Sequence, residues 1–151
     1  MIETNAALSL KETQMKLSQI MKQKINEYDL NMGLLHLTIL VQKYPGASQK
    51  DLASKIKITE GAFSTAVKRL INLDILKQEA LEEDLRYNRL IVTQRGKELL
   101  NDYQDYIIDV YKEIFIGLDD DELALFNNYL QIINQNLEKI NTRYNRKNKL
   151  V

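Results

Sequence analysis

Helix breakers are too scarce in this chain for anything but a mainly helical protein. Five glycines and one proline occur in 151 residues, so each one marks a boundary in the hydrophobic periodicity. Over residues 6–28, Leu17, Met21, Ile25 and Tyr28 recur at helical spacing, with Lys16, Lys22, Lys24 and Glu27 between them, which predicts one amphipathic helix. Residues 30–44 are apolar nearly all round, with Leu34, Leu35, Leu37, Ile39, Leu40, Val41 and Tyr44. That pattern predicts a helix buried on most sides, ended by Tyr44-Pro45-Gly46.

Ser48-Gln49-Lys50-Asp51 has the form of a helix start, with a hydroxyl at the N-cap and a carboxylate three residues on. Leu52, Ala53 and Ile56 give that short helix its inward face. Thr59 caps a second helix whose stripe is Phe63, Val67 and Leu70. Residues 75–79 and 89–92 read as the two strands of a hairpin, separated by a charged tip over 81–88. Thr93 then caps a long helix over 94–116 with the seam Leu100, Tyr103, Ile107, Val110 and Ile114. After Gly117, Asp119 and Glu122 start another, whose seam Leu123, Phe126, Leu130, Ile133, Leu137, Ile140 and Tyr144 alternates steps of three and four. Such a rhythm is a coiled-coil-like packing surface. No internal repeat is present, and the basic tail over 143–149 is expected to fray.

Two short helices joined by a tight turn and followed at once by a hairpin make a winged helix-turn-helix. The expected fold class is mainly α with a small β-wing. A winged lobe over residues 30–95 is mounted on a helical dimerisation region formed by residues 1–29 and 96–151.

Composition narrows the function. The absence of cysteine removes disulfides, thiolate nucleophiles, iron–sulfur clusters and thiol redox sensing. A single histidine, His36, leaves no zinc set and no triad to propose, and it reads first as a packed or hydrogen-bonded residue. No glycine loop gathers carboxylates and lysines for phosphate or cofactor chemistry. An enzyme, a cofactor and a metal are therefore not expected. No run reaches the roughly 18 apolar residues of a membrane span, and the first ten residues lack the order of a signal peptide. A cytoplasmic protein with no membrane partner is the expectation.

Three stretches together resemble the MarR-type transcriptional regulators. Asp84-x-Arg86, followed by Leu90-Ile91-Val92-Thr93-Gln94-Arg95-Gly96-Lys97-Glu98-Leu99, is similar to that family's wing signature and its entry into the arm. Residues 44–53, Tyr-Pro-Gly-Ala-Ser-Gln-Lys-Asp-Leu-Ala, are similar to its first motif helix, and residues 58–70 to its recognition helix. Four features depart from the family pattern. Asp74 stands where a glycine is usual, Val92 replaces leucine, Glu60 opens the recognition helix, and Glu82 and Glu83 occupy a wing tip that is commonly basic.

With Phe63, Val67 and Leu70 turned inward, Gly61, Ser64, Thr65 and Lys68 lie on the opposite face and can enter a major groove. On their own these residues would read as an ordinary exposed face, and the wing that follows changes the reading. Gln49 and the nearby helix N-terminus are suited to phosphate. Arg86 is the natural minor-groove probe, Arg89 joins it as a DNA-binding candidate, and Asp84 is expected to structure the wing by pairing with Arg86 or Arg89.

The resemblance implies a homodimeric repressor on double-stranded DNA, with two recognition helices in successive major grooves of a pseudo-palindrome about 34–36 Å apart. It also implies an effector, often a small aromatic or phenolic acid, in a crevice near Ile25, Tyr28, Met32, His36, Tyr103 and Tyr106. The alternative is a winged helix used for protein–protein contact, with Glu60, Glu82 and Glu83 repelling DNA.

The net charge of zero divides unevenly along the chain. Residues 1–47 carry five basic and four acidic groups, residues 48–95 nine and seven, and residues 96–151 seven and ten. A slightly basic lobe is thus offset by an acidic arm, and nonspecific DNA binding should be weak and salt-sensitive.

Overall fold

A computed structural model describes residues 1–81 and 84–148, with side chains given for 1–80 and 89–145. Six helices and one hairpin follow in the order α1 (Ile2–Asn26), α2 (Met32–Lys43), α3 (Gln49–Ile56), α4 (Glu60–Asn72), β1 (Leu76–Leu81), β2 (Asp84–Val92), α5 (Gln94–Ile114) and α6 (Asp120–Asn148). The chain separates into two compact units, Met1–Ile107 and Ile108–Val151.

The first unit holds the core. Ile25 from α1 meets Leu34, Leu35, Leu37, Leu40 and Val41 from α2, Leu52 and Ala53 from α3, and Phe63, Val67 and Leu70 from α4. Ile75, Leu76, Leu90 and Val92 close it from the hairpin, and Leu99 and Leu100 from α5. Burial of this set supplies most of the stabilisation, at about 25 cal/mol per Å² of apolar surface removed from water. Thr38 is the fully buried polar residue of α2, and its hydroxyl donates to the Leu34 carbonyl at 2.9 Å.

Helix starts are set by local chemistry. Asn31 Oδ1 accepts from the Leu34 amide at 2.9 Å. Ser48 Oγ accepts from the Asp51 amide at 3.1 Å while donating to the Asp51 carboxylate at 2.7 Å. Thr59 Oγ1 accepts from the Ala62 amide at 3.2 Å. Asp119 and Glu122 satisfy each other's amides reciprocally, both at 2.9 Å. Each such cap satisfies amides that have no partner within the helix.

Several boundaries differ from those the sequence suggests. The hairpin is longer: pairing continues past Glu79↔Arg89 to Ala80↔Asn88, then shifts register to Leu81↔Asp84. The segment expected as a charged tip is therefore largely strand, because backbone pairing continues where side-chain alternation gives no signal. α1 begins at Ile2 rather than near Ala6, α2 begins at Met32, and α5 ends at Ile114. His36, expected to be packed, is exposed on α2, on the face away from the core.

The second unit contains the end of α5 and all of α6. Phe115 and Phe126 meet edge to face, with ring centroids 6.2 Å apart. The predicted seam of α6 is largely open, with Phe126, Ile133, Leu137, Ile140 and Tyr144 exposed.

At the start of α5, backbone approaches backbone with no space for a side chain. A Cβ added to Gly96 would stand 2.4 Å from the Ile75 carbonyl oxygen and 2.7 Å from Val92 Cγ1. Gly96→Ala should therefore lower the folding stability by about 1–3 kcal/mol, seen as a lower urea midpoint with an unchanged m-value.

Candidate nucleic-acid interface

Two helices and a hairpin build the surface. α3 ends at Lys57, which adopts the left-handed conformation (φ 60°), and Thr59 starts α4 two residues later. α4 buries Phe63, Val67 and Leu70. The geometry of a 3.6-residue repeat then turns Gly61, Ser64, Thr65 and Lys68 outward, and all four are exposed. The sequence expectation for this face and the structure agree.

The donors and acceptors on that face are unequal. Thr65 spends its hydroxyl hydrogen on the Gly61 carbonyl at 3.0 Å, so toward another molecule its oxygen acts as an acceptor. Ser64 and Lys68 form no hydrogen bond or ion pair among the described residues, which leaves a hydroxyl and an ammonium available to an outside partner. Around Gly61 a Cβ would meet nothing within 4 Å, so no internal contact requires glycine there. Gln49 occupies the first turn of α3 and is half-buried.

In the wing, Arg89 lies opposite Glu79, and their side chains pair at 3.3 Å. Lys77 reaches the same carboxylate at 2.6 Å. Lys77 first, and Arg89 second, hold the Glu79 carboxyl below its ordinary range. Arg89 is thus part of a surface charge cluster on the hairpin. The backbones of Asp84 and Arg86 lie in β2, while their side chains, and Glu82 and Glu83 altogether, fall outside the described residues.

Sequence periodicity passed over two long-range ties. Arg69 of α4 donates to the backbone carbonyl of Asp29 at 2.9 Å, across 40 positions, and Asp29 itself sits at φ 58°. Where α1 meets α5, Lys24 Nζ lies 2.9 Å from the Asp102 carboxylate and 3.1 Å from Glu27. The Tyr28 hydroxyl donates to the same Asp102 carboxylate. The Lys24 ammonium also stands 5.2 Å from the ring centres of both Tyr28 and Tyr106. Hydrogen bonds from Tyr28 and Lys24 hold the Asp102 carboxyl low. Burial first, and Asp102 second, push the Tyr28 hydroxyl up to about 12. The Lys24 ammonium is raised chiefly by Asp102, then by Glu27 and Tyr28.

The six residues expected around an effector crevice are thereby sorted. Tyr28 and Tyr106 come together over Lys24, and Tyr103 is half-buried against the core. Ile25 is sealed inside the core, whereas Met32 and His36 are exposed on α2. A groove of about 240 Å³, lined by Val41, Pro45, Arg89, Ile91 and Lys97 among others, shares no residue with the six. Among the described residues no group of three or more His, Asp or Glu side chains could hold a metal ion, and no helix is long and apolar enough to cross a membrane.

Comparison with known proteins agrees with the geometry. Residues 39–77 match a family model described as winged helix-turn-helix DNA-binding. The HTH-type transcriptional regulator BilQ of Clostridium symbiosum is 25% identical over 99 residues, spanning 61% of this chain and 69% of its own. Residues 39–77 thus carry a winged helix-turn-helix DNA-binding domain, and the chain has the MarR-type winged-helix fold. Among solved structures, the S. aureus MepR–DNA complex superposes with a TM-score of 0.78 at 16% identity, covering 87% of this chain and 98% of MepR. The YusO protein of Bacillus subtilis superposes at 0.80 and 14%, covering 89% and 95%. Both belong to the MarR family. The related proteins are regulators and not enzymes, in line with the composition.

The open space at Gly61 yields a separable test of this face. Gly61→Ala should leave folding stability unchanged or raise it by up to about 1 kcal/mol, because alanine is the better helix former. The added methyl should nonetheless weaken DNA binding measured by fluorescence anisotropy, since it fills the space where a groove wall approaches. A variant equal to wild type in DNA affinity would remove Gly61 from the interface.

Proposed function

We propose that this protein is a transcriptional regulator, a repressor that binds a pseudo-palindromic operator as a homodimer. The observation that carries the reading is the divided face of α4. Phe63, Val67 and Leu70 are sealed on one side, and an exposed polar strip of Gly61, Ser64, Thr65 and Lys68 occupies the other. Ser64 offers a donor to base edges or phosphates, Thr65 an acceptor to a base amino group, and Lys68 a cation. Gln49 at the first turn of α3 is suited to the phosphate backbone. Arg86, and with it Arg89, supplies the minor-groove contact from the wing, with Asp84 structuring the loop.

The open apolar seam of α6 supports the dimer. Phe126, Ile133, Leu137 and Ile140 are spaced by steps of seven, four and three and exposed, which suits helix packing in a second copy. Release by a small aromatic or phenolic acid belongs to the same reading. Tyr28 and Tyr106, whose ring centres each lie 5.2 Å from the Lys24 ammonium, are the aromatic groups that such an acid would meet.

Anisotropy with the DNA upstream of the protein's own gene tests the proposal. Salt-dependent binding is expected, and Lys68→Ala and Arg86→Ala should each weaken it and reduce the salt slope by about one. Absence of binding at low ionic strength would favour a winged helix used for protein contact, where Glu60 at the start of α4 repels phosphate. In sedimentation the wild type should be a dimer at micromolar concentration and Ile133→Asp with Leu137→Asp a monomer. A monomeric wild type removes the operator geometry.

A further inference from the structure

Arg69 looks like a DNA-contacting residue. It is a guanidinium on the recognition helix, it is exposed, and it follows Lys68 directly. Its hydrogen bond points elsewhere. The guanidinium donates at 2.9 Å to the main-chain carbonyl of Asp29, in the corner between α1 and α2, where Asp29 holds a left-handed conformation.

That same corner is gripped from its other side. Tyr28, the adjacent residue, donates to Asp102 of α5, and Lys24, one helical turn earlier, pairs with Asp102 at 2.9 Å. Four consecutive positions, 27–30, therefore connect three elements. Glu27 pairs with Lys24, Tyr28 binds α5, Asp29 binds α4, and Leu30 is buried in the core at 3% exposure. The corner cannot shift toward α5 without drawing on the bond to the recognition helix.

We infer that Arg69 is a positioning residue that sets the angle of the recognition helix against the α1–α2 corner and, through Tyr28 and Asp102, against α5. It does not act as a phosphate contact. A guanidinium is suited to the task because it is always charged, and its fork of donors keeps the geometry of the bond to one carbonyl. A charged donor on a neutral carbonyl is also among the stronger hydrogen bonds of a protein surface. The inference rests on the DNA-binding reading above and adds that operator geometry is partly encoded outside the DNA-facing strip.

The test separates positioning from contact by salt dependence and by operator spacing. Wild type, Arg69→Ala, Arg69→Lys and Lys68→Ala are titrated by anisotropy against the upstream operator, and against the same operator with one base pair inserted between half-sites. Arg69→Ala should lose about tenfold in affinity for the natural spacing while keeping the wild-type salt slope. It should also discriminate less between the two spacings, because a loosened recognition helix accepts both. Lys68→Ala should lower the salt slope and keep the discrimination. Arg69→Lys, which retains a donor for Asp29, should restore most of the spacing preference. Combining Arg69→Ala with Asp102→Asn should cost less than the sum of the two changes, since both release one corner.

A reduced salt slope in Arg69→Ala would make Arg69 a phosphate contact and overturn the inference, as would wild-type affinity and spacing preference. If Arg69→Ala does not fold, Arg69→Gln decides, because it keeps a donor for the Asp29 carbonyl without the charge: an unchanged salt slope supports the inference, and a lowered slope overturns it. Failure of the wild type to bind DNA would instead sink the functional proposal, so the two failures are distinguishable.

Discussion

Within the winged lobe, one hydroxyl ties the chain after α4 to the start of α5. Thr93 donates from Oγ1 to the Asp74 carbonyl at 2.6 Å and accepts from the Gly96 amide at 3.0 Å, while its own amide donates to the Ile75 carbonyl at 3.0 Å. A hydroxyl has one hydrogen and two lone pairs, and here it joins the residues after α4 to the first turn of α5. The close approach depends on Gly96, whose missing side chain leaves space for the Ile75 carbonyl. The end of α4, the start of β1, the end of β2 and the start of α5 meet at this point. The hairpin leaves the lobe from here, so Thr93 and Gly96 help to set its placement relative to α4, together with the buried Ile75, Leu76, Leu90 and Val92.

This junction also explains how the chain tolerates Asp74. The connection from α4 to β1 needs a left-handed residue, and Asp74 adopts φ 56° where glycine would be the unstrained choice. Aspartate is among the side chains that enter this region at low cost. The Asp74 carbonyl is fixed by Thr93, so the turn is held from outside as well as by its own preference. Lys57 has no such compensation of side-chain type, and its left-handed turn is instead closed by backbone bonds to Ala53 and Ser54.

The local features of the fold were legible in the sequence, and the long-range ones were not. Caps at Ser48, Thr59 and Asp119 could be read because an N-cap and its N3 partner lie three residues apart. The stripe of Phe63, Val67 and Leu70 could be read because burial repeats with the helix, and the exposed strip of the candidate site followed by subtraction. The hairpin extends further than the alternation suggests, since the stretch after Glu79 is rich in charge, yet pairing continues through Ala80↔Asn88 to Leu81↔Asp84. Nothing in periodicity links Arg69 to Asp29 or Lys24 to Asp102, because such bonds depend on how finished helices are placed. His36 and Met32 are exposed because α2 buries one broad side, leaving the other open despite its apolar sequence.

The electrostatic balance gains meaning from these ties. The lobe carries only a small excess of basic groups, and the structure commits part of it internally: Arg69 to Asp29, and Arg89 and Lys77 to Glu79. Lys68 is then the cation of the recognition strip without an internal partner among the described residues. Counterion release scales with the number of phosphates neutralised, so one lobe with so small a net excess of basic groups gains little affinity from bulk charge. In the proposed dimer the second lobe binds at an effective concentration set by the connecting helices, and that gain exists only if both recognition helices are held at matching angles. Within that proposal, weak electrostatic attraction makes rigid placement matter, and the bonds that fix α4 from behind would contribute to recognition alongside the residues proposed to face the groove.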